Sequence, residues 1–181
     1  MKNENIKERA AKIKLLLVDC DGVLTDGGIT LLPNGDEQKT FNVRDGHGFV
    51  LLHRAGIRSG IISGRSSSLV ERRAKELGIE FVRQGTWNKL VDFEEVLKQA
   101  EVLPEETAFV GDDVTDVPLM LRVGFAVAVA DAVLEVKQVA HLITYNKGGA
   151  GAVREVTDLI IQSQQKWDDL MKRYFDLEKL Q

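Results

Sequence analysis

A doubly wound α/β fold on a parallel sheet is what the sequence predicts. Three observations point to it. Short apolar runs alternate with stretches of helical periodicity from one end of the chain to the other. Several of those runs stop on acidic or hydroxyl residues, as strands do where an open α/β sheet builds its site. The composition fits one globular unit over residues 1–181, with 44% hydrophobic residues for a core and 29% charged residues for a wet surface.

The elements follow in order. Residues 3–11 suit a short polar helix. Leu15-Leu16-Leu17-Val18 is a continuous apolar run, and residues 13–19 read as a buried parallel strand. Residues 28–41 hold two extended runs around Asn34-Gly35, a hairpin signal. Its apolar residues Ile29, Leu31, Leu32 and Phe41 are too few for a core, so it must lie on the parent domain or meet another subunit. A helix is expected over 46–55, ended by Gly56, and a strand over 58–62. Residues 66–77 place Val70, Ala74 and Leu77 on one helical face, and Gly78 stops them. A short strand over 80–82 and a helix over 90–100 come next. The strand 107–110, the helix 114–123 and the strand 125–129 complete the alternation, with an edge strand at 142–143. Gly148-Gly149-Ala150-Gly151 is a turn. A long amphipathic helix is expected over about 150–171, and the last ten residues are charged and expected to fray.

Composition also excludes. A net charge of −4 gives no bias toward nucleic acid. No apolar run approaches the roughly 20 residues of a membrane span. The charged N-terminal stretch lacks the apolar core of a signal peptide. Cys20 is the single cysteine, so no intrachain disulfide forms and a reducing, cytoplasmic setting is expected. Strand alternation turns Cys20 into the core, away from its acidic neighbours.

Asp19 and Asp21 leave the first strand at its C-terminal end, and Gly22 lets the backbone turn there. Two carboxylates so close repel unless a cation lies near them. Taken alone, Asp-x-Asp-Gly is also an ordinary polar turn. Three further stretches follow, each after an apolar run. Ser63 ends Ile61-Ile62-Ser63-Gly64-Arg65. Lys89 closes Gln84-Gly85-Thr86-Trp87-Asn88-Lys89. Asp112, Asp113 and Asp116 cluster in Phe109-Val110-Gly111-Asp112-Asp113-Val114-Thr115-Asp116. Asp113 and Asp116 could equally cap the helix that begins there. Lys89 by itself would be a solvated helix start.

The four stretches in this order resemble the haloacid dehalogenase superfamily of phosphotransferases. Phe41-Asn42-Val43-Arg44-Asp45-Gly46, Ala128-Val129-Ala130-Asp131-Ala132 and Gly151-Ala152-Val153-Arg154-Glu155-Val156 are similar to its 3-deoxy-D-manno-octulosonate (KDO) 8-phosphate phosphatases. The resemblance runs from about residue 13 to residue 161. It implies the fold of that superfamily with a small hairpin insertion and no large cap domain. It implies Asp19 as nucleophile, Asp21 as general acid and then base, and Ser63 and Lys89 as the phosphoryl grip. It implies Mg2+ held by Asp19, the backbone carbonyl of Asp21, and Asp112, with Asp113 and Asp116 behind them. The implied substrate is KDO 8-phosphate, a sugar-acid phosphate of lipopolysaccharide precursor synthesis, hydrolysed to KDO and phosphate through an aspartyl-phosphate. It would be met by Asn42, Val43, Arg44, Asp45 and Gly46 and by Arg65 and Arg73. A homotetramer assembled through the hairpin is implied as well.

Two positions depart from that pattern. Ala150 stands where many relatives have arginine in Gly-Gly-Arg-Gly, and Val50 where some have a basic residue. A phosphatase for another nonulosonate 9-phosphate, or a detached form of the similar domain beside some acylneuraminate cytidylyltransferases, therefore stays open. A non-catalytic phosphoacceptor or oligomerisation module would not need Asp21. His47 is expected near the site and His53 in a structural role; His141 is too isolated to assign.

Overall fold

The computed structural model describes residues 5–175. Helix α1 (Ile6–Ala11) opens the chain, with Asn5 and Glu8 exchanging cap hydrogen bonds. Residues 3 and 4 of the expected helix lie outside the described residues, as does most of the tail expected to fray. Strand β1 (Leu15–Val18) is buried along its whole length, as its unbroken apolar run requires. The hairpin strands β2 (Thr30–Leu31) and β3 (Glu37–Gln38) pair antiparallel, apart from the main sheet. Their turn spans Pro33, Asn34 and Gly35, with Gly35 N–H donating to the Leu32 carbonyl at 3.0 Å.

Helix α2 (Val43–Arg54) starts three residues before the predicted 46–55. The Asn42 side chain accepts from Arg44 N–H at 2.8 Å and caps it. Then come β4 (Arg58–Ile62), α3 (Ser68–Leu77), β5 (Phe81–Arg83) and α4 (Lys89–Ala100). Strand β6 (Thr107–Gly111) leads through a 3-10 turn (Val114–Asp116) into the short α5 (Val117–Met120), so the predicted 114–123 helix is irregular. Strand β7 (Phe125–Ala128), α6 (Leu134–Val139) and β8 (Leu142–Ile143) follow. The expected continuous 150–171 helix is two helices, α7 (Ala152–Ser163) and α8 (Trp167–Phe175). They break at Gln165, whose φ is 58°. Long polar side chains at the break reach inward: Gln164 donates to the Ile13 carbonyl at 2.7 Å and Lys166 to that of Ala55 at 2.8 Å.

The main sheet has the order β5-β4-β1-β6-β7-β8, all parallel. The chain winds outward from β1 through β4 to β5, then crosses to β6 and runs the other way. Helices α1, α2, α3 and α7 form one packed group, and α4, α5 and α6 the other. The core is the sheet's own residues, from Leu15–Val18 and Ile61-Ile62 to Ala108–Val110 and Phe125–Ala128, with Phe49, Phe93, Val156 and Ile160 packed on it. Reversal of strand order opens a crevice beyond β1 and β6. Among the described residues, no helix is long and apolar enough to cross a membrane.

Candidate active site

Everything beyond the C-terminal end of β1 is built from short-range turns. Val23, Leu24 and Thr25 N–H all donate to the Cys20 carbonyl. The Thr25 hydroxyl accepts from Gly22 N–H at 3.3 Å and Gly27 N–H at 3.2 Å. Gly22 has φ 89°, and a Cβ there would lie 2.0 Å from Asp112 Oδ2. Only glycine lets β1's loop approach β6's loop so closely. Cys20 is fully buried beneath, its thiol pushed up to about 12 by burial and by Asp21. It is core, as its alternation predicts.

Asp19 is 7% exposed. Its Oδ2 lies 3.1 Å from Lys89 Nζ, which donates to Asp116 Oδ1 at 2.7 Å. Lys89 arrives as the first residue of α4, a helix capped by the Asn88 side chain. Burial draws its pKa down, but Asp116 and Asp19 more than offset that, and the ammonium stays charged. Asp116 is fully buried and spends its other oxygen on Asp112 N–H at 3.0 Å and Asp113 N–H at 3.4 Å. Asp113 caps the 3-10 turn by accepting from Val114 N–H at 2.7 Å.

Two buried carboxylate oxygens in this cluster have no partner among the described residues, Asp19 Oδ1 and Asp112 Oδ1. Asp19, Asp112 and Asp116 each place a carboxylate oxygen within 4.8 Å of the others. Asp19 is raised to about 6 by burial and Asp116, and Asp112 to about 7 by burial, Asp19 and Asp116. Orphaned oxygens with crowded negative charge are what a hard divalent cation satisfies. Asp116 already gives both oxygens to protein donors, so the open ligands are Asp19 and Asp112.

The cleft above them has a volume of about 490 Å³ and is open on one side. Asp21, Ser63, Arg65, Trp87, Asn88 and Pro118 line it together with Asp19, Lys89, Asp112 and Asp113. Ser63 ends β4 and is 3% exposed. Trp87 is fully exposed at the mouth. The sequence-predicted core of the site thus converges.

The predicted substrate contacts do not all converge. Arg65 reaches the cleft. Asn42, Asp45, Gly46 and Arg73 instead line a small separate hollow between α2 and α3. Arg44 lines an open groove with Ala150 and Arg154, and Val43 is exposed. Asp45 is committed elsewhere: it is 2% exposed and accepts from Arg154 N–H at 2.7 Å and Gly151 N–H at 3.2 Å, so it latches α2 to the start of α7. Asn42 to Gly46 are a helix cap and first turn rather than a loop over the cleft of their own protomer. His47 lies apart from the cleft, edge-on to Tyr174. His53 bonds the Ser59 hydroxyl at 2.7 Å, and His141 Nδ1 accepts from Ala126 N–H at 2.9 Å; both are structural.

Sequence reasoning missed Lys39. It follows β3, and its side chain is 3% exposed. It pairs directly with Asp21 Oδ1. No motif marked it; the contact depends on how the hairpin folds back.

Comparison with known proteins agrees with this geometry. The family model for haloacid dehalogenase-like hydrolases matches residues 78–156. The 3-deoxy-D-manno-octulosonate 8-phosphate phosphatase of Yersinia pestis is 47% identical over 163 residues, covering 90% of this chain and 87% of that one. Its crystal structure superposes with a TM-score of 0.89 over 90% of this chain and 88% of that chain. The Moraxella catarrhalis enzyme of the same name, crystallised with magnesium ion, phosphate ion and KDO, is 39% identical with a TM-score of 0.92, covering 96% and 99% of the two chains. A parallel sheet with an aspartate-bearing β1 loop and an acidic β6 loop fits the class of the haloacid dehalogenase-like phosphatases. Within that class, this chain belongs to the family of the 3-deoxy-D-manno-octulosonate 8-phosphate phosphatases.

Proposed function

We propose that the protein is a Mg2+-dependent phosphomonoesterase that hydrolyses KDO 8-phosphate to KDO and phosphate through an aspartyl-phosphate. The observation that carries this reading is Asp19, a buried carboxylate with one oxygen on Lys89 and the other unpartnered. The names of its relatives supply the substrate. Asp19, Asp112 and the Asp21 carbonyl would hold Mg2+, which when bound would neutralise phosphate charge.

The chain's own residues do the rest. Asp19 attacks the phosphorus in line as the ester oxygen leaves. Ser63 donates to a phosphoryl oxygen, and Lys89 supplies the compensating positive charge while Asp116 holds it in place. Asp21 protonates the leaving oxygen, then takes a proton from the water that opens the aspartyl-phosphate. Arg65 faces the cleft mouth, where a sugar-acid carboxylate suits its guanidinium fork.

The open side of the cleft suggests that sites are completed at subunit interfaces. Ile29, Leu31 and Leu32 are exposed on the hairpin, and we read them as the contact of a cytoplasmic homotetramer. A neighbour could then add Arg44 or Arg73. The Gly148-Gly149 turn packs against the β1 loop of its own protomer, Gly149 N–H donating to the Val23 carbonyl at 2.9 Å.

Assay of purified protein against KDO 8-phosphate and a panel of nonulosonate 9-phosphates tests the reading. KDO 8-phosphate should give the highest kcat/KM, with activity lost in EDTA and restored by Mg2+. Preference for a 9-phosphate would replace the substrate and leave the mechanism standing. Full activity in EDTA would remove the metal. Sedimentation of the wild-type chain as a monomer would remove the tetramer.

A further inference from the structure

The end of the hairpin brings a charge against Asp21, which lines the cleft of its own protomer. The Lys39 side chain is 3% exposed, and a buried ammonium persists only when it is paired. It pairs with Asp21 Oδ1, and Glu37 Oε1 lies 3.9 Å away. Arg65 closes the circuit from the end of β4, with Nε 3.4 Å from Asp21 Oδ2 and a terminal nitrogen 2.8 Å from Glu37 Oε2. Two cations and two carboxylates therefore alternate in a ring, Asp21, Lys39, Glu37 and Arg65. The four contacts are unequal. The Arg65 side chain is 47% exposed, so solvent screens its pairs. Lys39 is enclosed, and holds Asp21 by one oxygen.

We propose that Lys39 is a positioning residue for Asp21, fixing the proton-transferring carboxyl where the leaving oxygen will sit. This rests on the reading of Asp21 as general acid and base. A proton donor must be within hydrogen-bond reach of the leaving oxygen during the reaction. Asp21 sits on a loop at the cleft rim, where the ring restrains its side chain to one orientation. Lys39 keeps Oδ1, and the exposed Arg65 yields Oδ2 to the substrate. Once Arg65 has released Oδ2, that oxygen takes up a proton from solvent; as the Asp19–phosphorus bond forms and the phosphorus–ester bond breaks, this proton passes to the departing alkoxide. The carboxylate left behind already faces the Lys39 ammonium. It regains a proton from the water that attacks the aspartyl-phosphate, and the cycle closes with no other reactant. The hairpin thus has work inside its own subunit, separate from any contact with a neighbour.

The test compares KDO 8-phosphate, whose alkoxide must be protonated, with p-nitrophenyl phosphate, whose leaving group departs without a proton. Lys39→Met should lower kcat on KDO 8-phosphate by roughly 10- to 100-fold, within the range of general acid catalysis, with KM little changed. The loss on p-nitrophenyl phosphate should be several-fold smaller. Lys39→Arg should recover most of the rate. Should Lys39→Met not fold, Lys39→Gln carries the same comparison. In an Asp21→Asn background, Lys39→Met should cost nothing more, because its effect passes through Asp21. Equal losses on both substrates, or a further loss in the Asp21→Asn background, would overturn the role of Lys39 alone, provided Asp21→Asn itself separates the substrates. If Asp21→Asn does not separate them, the acid assignment falls and the Lys39 proposal with it.

Discussion

Asp19 and Asp45 are both buried aspartates at element ends, 7% and 2% exposed, and burial raises the pKa of each. Their surroundings differ. Asp45 gives both oxygens to the backbone N–H groups at the start of α7. Asp19 gives one oxygen to Lys89 and leaves the other unmet. One is a latch and the other is proposed as a tool. Burial does not separate them; unmet hydrogen-bonding capacity does.

That contrast can be broken by experiment. Asp19→Asn should lower kcat by on the order of 10⁴-fold or more while leaving the fold intact, because it removes the proposed nucleophile but relieves crowded negative charge. A melting temperature well below wild type for the metal-free variant would show Asp19 to be structural. Next in size is the response to metal. Mg2+ at about 100 times its Kd should stabilise the wild-type protein by about 2.7 kcal/mol in thermal unfolding. Asp112→Asn should lose most of that gain, and an undiminished shift would place the ion elsewhere.

Asp45→Ala should do the reverse of Asp19→Asn. It leaves the Gly151 and Arg154 N–H groups without their acceptor, a cost of about 1–3 kcal/mol, with KM unchanged in the folded fraction. A raised KM with full stability would return Asp45 to the substrate.

The smallest effect concerns His53. Burial lowers its pKa below the ordinary 6.5. The unfolded chain then binds this proton at higher pH than the folded one, so the contribution to stability is present above about 6.5 and is lost as pH falls. The melting temperature of His53→Gln should fall less than that of wild type between about pH 7.5 and 5.5. Asp19 and Asp112, with raised pKa values, act in the opposite direction in both proteins, and the difference between them isolates His53. Equal slopes would exclude it.

The sheet was legible because its strands are buried on both faces and so read as unbroken apolar runs, Leu15–Val18 most plainly. The acidic residues were legible because they end those runs. What depended on contacts distant in sequence was not. Lys39 meets Asp21 across a turn whose placement no local pattern encodes. Helix α6 has Val133 at its N-cap and no side-chain cap bond, so nothing announced it. The early start of α2 did have a signal, Asn42 as cap with Asp45 in the first turn, but the same residues also read as a substrate loop. The break at Gln165 follows from Gln164 and Lys166 finding buried carbonyls, which periodicity cannot foresee.

Gly148 carries a lesson for anyone moving this site to another scaffold. A Cβ at that position would lie 1.7 Å from the Gly22 carbonyl oxygen, so the two backbones are nested with no room for a side chain. The β1 loop and a turn from near the far end of the chain are therefore one transplantable part. A graft of residues 19–27 alone would lack its floor. A library that varies residue 148 would select for glycine before it selected for activity, whichever substrate was offered.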